Sequence, residues 1–153
     1  MNGKPYQQRG SRPPDRSGYS GGARPGSPPL FDPTRSRAEL LDDLAEKQAD
    51  QFETGKLNSA QLRRFFGEAK DLLKRLDAGR DYEKEIEPMF KMMRSKASYA
   101  WRNGQNAKIP QEFHDFIENG VKKVANEEQF RLFVQHFEAV VGFLYGKGKV
   151  GRS

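Results

Sequence analysis

The sequence predicts an all-α fold, a compact bundle of about five helices behind a disordered N-terminal tail. Three observations carry that expectation. Beyond residue 33 the apolar residues recur at i, i+3, i+4 and i+7, and no stretch alternates as a strand would. Over the same span the only prolines are Pro88 and Pro110. Residues 1–33, by contrast, hold seven of the nine prolines and six of the fifteen glycines. A segment so poor in apolar surface cannot offset the entropy of ordering it.

That composition divides the chain into a disordered Pro/Gly/Arg-rich tail (1–33), a helical bundle (34–147) and a flexible C-terminal tail (148–153). In the N-terminal tail Lys4, Arg9, Arg12, Arg16 and Arg24 face only Asp15 and Asp32. With Tyr6 and Tyr19 set among Arg and Gly, it is similar to arms that brush single-stranded nucleic acid. A solubilising extension would have the same composition, and both readings stand.

The first helix is expected over 36–52, opened by a Ser36–Glu39 capping box and carrying Leu40, Leu41, Leu44 and Phe52 on one side. The second has the clearest start. Asn58 can cap, Gln61 sits three residues on, and Leu57 with Leu62 makes a hydrophobic staple. Leu62, Phe65, Phe66, Ala69, Leu72, Leu73 and Leu76 form its stripe, and Gly79 should end it. The third helix begins either at Pro88 as its first residue or at an earlier turn from Asp81 kinked by that proline. Phe90, Met93, Ala97, Ala100 and Trp101 mark its buried side up to Asn103–Gly104. The fourth opens at Pro110 and buries Phe113, Phe116, Ile117, Val121 and Val124. Asn126 caps the fifth, with Glu127 and Glu128 at its positive dipole end. Phe130, Phe133, Val134, Phe137, Val140, Val141 and Leu144 form its stripe, and Gly146 stops it.

The charge is unevenly spread. Of the formal +6, half sits in residues 1–33. Residues 55–80 have seven basic and three acidic side chains, and residues 88–108 five basic and none acidic. Around the second helix Arg63, Lys70 and Lys74 line one flank together with Gly67, whose missing side chain would let a phosphate approach. On the third, Lys91, Ser95, Ser98 and Arg102 line up, with Arg94 at the edge. Hydroxyls among Lys and Arg suit phosphate and ribose oxygens. One basic stripe is most often a solvated face, but two on adjacent helices favour a nucleic-acid surface.

Enzymatic classes find little support. Cysteine is absent, which excludes disulfides, thiolate metal sites and cysteine nucleophiles. Of the two histidines, His114 and His136, neither shares a helical face with its neighbouring carboxylate, Asp115 or Glu138, and both read as edge or surface residues. Asp42, Asp43 and Glu46 read as an outer helix face. No cofactor or metal is expected. With no span of about 20 apolar residues and no secretory h-region, the expected location is the cytoplasm, without a membrane partner. Near the end of the fifth helix Phe143 projects roughly 120° from the stripe. With Tyr145 it is a candidate protein-interface residue, the alternative being packing against the C-terminal tail or the first helix.

Three blocks resemble a known family. Asn58 to Lys70 (NSAQLRRFFGEAK) is similar to the S-Q-L-R-K-F-x-x-E-x-K opening of a helix in the small helical subunit of type III-A CRISPR effector (Csm) complexes. Lys96 to Arg102 (KASYAWR) resembles its K-x-x-Y-A-x-x-R signature. Phe133 to Val141 (FVQHFEAVV) resembles its F-V-x-F-F-E-A-I-V helix. The blocks keep the family's order and spacing over about residues 36–147. The family helix often closes with Tyr-His-Lys where this chain has Gly142-Phe143-Leu144-Tyr145, and the long tail is outside the pattern.

The resemblance implies a non-catalytic helical subunit that stacks in several copies along an RNA-guided interference complex in antiviral defence. It implies contact with the guide RNA–target RNA duplex and packing on other Csm subunits. Arg63 and Arg64 match the family's basic pair, and Lys96 and Arg102 the basic ends of its second signature. Lys70, Lys91 and Arg94 join them from the helical wheel alone. The rival reading is a helical adaptor whose basic surface meets acidic proteins, with no role for RNA.

Overall fold

The computed structural model describes residues 27–102 and 107–152. Among them six α-helices follow in order: α1 (Arg37–Leu41), α2 (Asp43–Asp50), α3 (Ser59–Asp77), α4 (Glu87–Trp101), α5 (Gln111–Lys123) and α6 (Glu127–Gly146). The all-α expectation holds. The first 26 residues of the expected tail, and the expected end of the third helix at Asn103–Gly104, lie outside the described residues.

Local signals act as the sequence implies. Ser36 Oγ accepts from the Glu39 amide, Asn58 from Gln61 and Asn126 from Gln129, each through the side chain. Leu57 and Leu62 are both buried, as a staple requires, and Gly79 leaves α3 at φ +96°. Helix α6 is the spine of the bundle, packing on α1, α2 and α3. Its Phe130, Phe133 and Phe137 meet Phe31, Phe90 and Phe116 in a web of ring contacts with centroids 4.9–5.8 Å apart. Such pairs add to area burial through edge-to-face electrostatics. At Gly120 on α5, a Cβ would overlap the Phe133 ring.

Four expectations are corrected. The single first helix is two, because the backbone turns at Asp42 (φ −128°, ψ −94°). The turn leaves the Leu40 carbonyl to His136, whose Nδ1 lies 2.6 Å away and must donate. Second, the two readings of the third helix combine: a turn capped by Asp81 comes first, and α4 itself opens with Pro88 in its first turn. A π-turn over Tyr82–Ile86 runs into α4, with the Ile86 amide bonded to the Asp81 carbonyl. The wider turn accommodates Pro88, which has no N–H and whose ring would crowd the carbonyl four residues back.

Third, the ordered body starts before residue 34. Phe31 is 1% exposed, packed edge-on against Phe133. The backbone leading to it is stitched down where the Leu30 amide donates to Gln48 Oε1 and Gln51 donates to the Pro28 carbonyl. Fourth, residues 148–152 are tied back rather than trailing. Strand β1 (Leu57–Asn58) pairs in parallel with β2 (Val150–Gly151), and Lys149 Nζ donates to the carbonyls of Asp50 and Phe52 at 3.1 and 2.8 Å. Lys149 thus caps the end of α2 from the far end of the chain. Lys149→Met keeps the stem and removes both bonds; it should lower unfolding free energy by about 1 kcal/mol in a denaturant titration.

Candidate nucleic-acid interface

Helices α3 and α4 pack side by side, but the two basic stripes do not merge into one face: Lys70 reaches Glu138 on α6, whereas Lys91 and Arg94 reach Val121 and Glu118 on α5. Their side chains divide into two kinds. Four of the seven expected contact residues are engaged within the fold. Lys70 Nζ lies 3.1 Å from Glu138 and 5.9 Å over the Phe66 ring. Lys91 Nζ donates to the Val121 carbonyl at 3.3 Å. Arg94 Nε donates to Glu118 at 3.1 Å, and Lys96 pairs with Glu68.

The remaining three, Arg63, Arg64 and Arg102, are exposed and have no acidic partner among the described residues. Arg63 donates only to the Ser59 carbonyl, at 3.4 Å. The Arg102 guanidinium sits 4.7 Å over the Tyr99 ring. These arginines can therefore meet a polyanion without breaking an internal ion pair. Gly67, on the same flank, is exposed, and a Cβ there would meet nothing within 4 Å. Nothing in the packing demands a glycine at that position.

Between α3 and α4 lies a cleft of about 470 Å³, lined by Gln61, Arg64 and Glu68 from one helix and Ser95, Lys96 and Tyr99 from the other. Phe65 and Ala100 line it too, and Lys108 reaches it from beyond α4. Lys108 is held there by its own amide, which donates to the Ala100 carbonyl at 2.7 Å. Lys108 lies outside the helix, where helical spacing does not reach it. Its only sequence signal was membership of the acid-free run 88–108.

Both histidines prove buried, against the expectation of surface positions. His114 stacks on Trp101, with centroids 4.6 Å apart, and its Nδ1 is 2.9 Å from Asp115 Oδ1. Neighbours in sequence thus meet even though they do not share a helical face. His114, Asp115 and Glu118 bring their donor atoms within 4.8 Å of one another. Arg94 and Lys122 already neutralise Glu118, and the Arg94 bond holds its carboxyl below the usual carboxylate range. A carboxylate so occupied makes a structural ion network, not a cation site.

His136 is wholly buried among Phe31 and Phe116, with its Nε2 unpartnered among the described residues. Burial pushes its pKa down, and the Leu40 bond only partly opposes this. The unfolded chain then takes up a proton that the fold rejects, so stability should be complete above about pH 6.5 and fall as the pH drops below it. Urea midpoints at about pH 7.5 and 5.5 check this, the lower pH giving the lower midpoint. Equal midpoints would contradict a buried neutral imidazole.

At the C-terminal end of α6, Tyr145 is 47% exposed, whereas Phe143 is half-buried and packs against the core. No helix among the described residues is long and apolar enough to cross a membrane.

Compared with known families, the chain is similar over residues 35–147 to the one described as Csm2 Type III-A. That range takes in all six helices. Comparison with curated proteins and with solved structures gave no match.

Proposed function

The chain belongs to the Csm2 family of type III-A CRISPR systems and is a structural subunit of the type III-A complex, and we propose that it binds the guide RNA–target RNA duplex through the exposed arginines of α3 and of the end of α4. The observation that carries this reading is the set of three exposed arginines, Arg63, Arg64 and Arg102, without acidic partners among the described residues. An A-form helix hides its major-groove base edges from side chains, so such a set takes phosphates and 2′-hydroxyls without regard to sequence. Lys70, Lys91, Arg94 and Lys96 contribute positive potential while holding the helices in place.

The family is a non-catalytic one whose members assemble with other Csm subunits. Copies stack along the duplex, each making a few phosphate contacts, and repetition supplies the avidity that one copy lacks. Tyr145 at the end of α6 is the side chain offered to a neighbouring subunit, while Phe143 packs against the core.

The test is an anisotropy titration of labelled guide–target duplex with the full chain, alone and in the assembled complex, at two salt concentrations. Binding at low salt that weakens steeply at higher salt is expected. If the duplex is not bound at low salt in either form, the reading fails and the adaptor alternative takes its place.

A further inference from the structure

The cleft between α3 and α4 has features that a continuous duplex would not use. Phosphates need cations, but the floor here is apolar, made by Phe65 and Ala100, 3% and 9% exposed. Its volume of about 470 Å³ falls within the roughly 300–1,000 Å³ of pockets that take small planar ligands. On the rim stands Tyr99, 71% exposed, the most exposed large apolar side chain among the described residues. A free aromatic ring at the edge of an apolar cleft, backed by the Arg102 guanidinium, is the surface on which unstacked bases lie.

The polar groups around it match the rest of a nucleotide. Arg64 and Lys108 stand at the cleft with no acidic partner among the described residues and so can meet phosphates on either side of the base. In the wall, Gln61 and the Glu68 carboxylate offer acceptors to the N–H groups of a base edge, and Lys96 holds Glu68 in place through their ion pair.

We propose that this cleft receives one unpaired nucleotide of the bound RNA, its base against Tyr99 over the Phe65–Ala100 floor and its flanking phosphates on Arg64 and Lys108. The inference rests on the duplex-binding reading and adds a preference to it: an interruption in the duplex is bound better than continuous pairing.

The experiment compares a fully paired RNA duplex with the same duplex carrying one bulged 2-aminopurine, titrated with the full chain at low salt. The bulged duplex should bind about tenfold tighter, the worth of one base stacked on an aromatic ring. The 2-aminopurine fluorescence should change on binding as the base enters the cleft. Tyr99→Ala, an exposed change that leaves the core intact, should remove the preference and the fluorescence change while leaving affinity for the paired duplex nearly unaltered. Equal affinity for both duplexes would overturn the nucleotide cleft and leave duplex binding standing. Binding of neither would overturn both. Adenosine monophosphate competing as tightly as the bulged RNA would overturn the assignment to a base within an RNA strand.

Discussion

Reversing the charge at Arg64 and Arg102 together should lower affinity for the guide–target duplex on the order of 100-fold at low salt, with no loss of fold. Both side chains are exposed and neither pairs with an acid among the described residues, so no internal bond is broken. Each change removes a charge-assisted phosphate contact, worth about 1.5 kcal/mol, and sets a carboxylate against the phosphate backbone. Lys70→Gln and Arg94→Gln should behave differently. Each gives up an ion pair to another helix, with Glu138 and Glu118 respectively, so its effect should fall on stability as much as on RNA. Such half-exposed pairs are worth no more than about 1 kcal/mol, so those losses are small. Anisotropy titrations beside thermal melts separate the two classes. If all four positions weaken RNA binding equally, the division into free and engaged cations is wrong.

The second large effect concerns two glycines that look alike in the sequence. Both lie inside helices, where Gly→Ala ordinarily gains roughly 0.8–1 kcal/mol. At Gly67 a Cβ would meet nothing within 4 Å, so Gly67→Ala should show that gain. At Gly120 the new methyl would overlap the ring of Phe133, itself fully buried between Phe31, Phe90, Phe116 and Phe137. That ring cannot retreat without disturbing four others. Overpacking there should cost about 3 kcal/mol before the helical gain, leaving a net loss of about 2 kcal/mol. Phe133→Leu, which removes the offending edge, should make Gly120→Ala far less damaging in combination than the two single losses would sum to. Denaturant titrations of the four proteins decide it; strict additivity would show that the ring and the glycine are not in contact.

Much of the fold was legible because helix signals are local. Asn58, Gln61, Leu57 and Leu62 announce the start of α3 within five or six residues, and the Phe and Leu spacing of α6 announces its buried face. What escaped depends on distant parts of the chain. Phe31 sits in a Pro-rich stretch whose composition argues against order, and the rings of Phe133 and His136 on α6 give it a place. Strand β2 forms because α6 ends beside β1, which no pattern in Val150 or Gly151 could reveal. His136 occupies a core position in the α6 stripe, yet its partner is the Leu40 carbonyl, freed by a turn at Asp42 that has no signature.

The interface was legible in the same partial way. The two stripes followed from helical periodicity, but not their separation, Lys70 turning toward α6 and Lys91 and Arg94 toward α5. Which cations are available did not follow, since Lys70, Arg94 and Lys96 meet acids on other helices, at Glu138, Glu118 and Glu68. Sequence neighbours gave no hint of those pairings. The cleft itself also needed three dimensions, because Lys108 lies beyond the end of α4 while Phe65 and Ala100 read simply as core.

Duplex binding is assigned above to phosphate contacts by Arg63, Arg64 and Arg102. It is tested most directly by the salt dependence of duplex affinity, measured for the native chain and for the variant with all three changed to Gln. Each phosphate contact contributes a slope of roughly −0.7 to −0.9 in log affinity against log salt. The variant should therefore be shallower by about 2 to 3 while melting at the native temperature. Equal slopes for the two proteins would contradict the claim, whatever their absolute affinities.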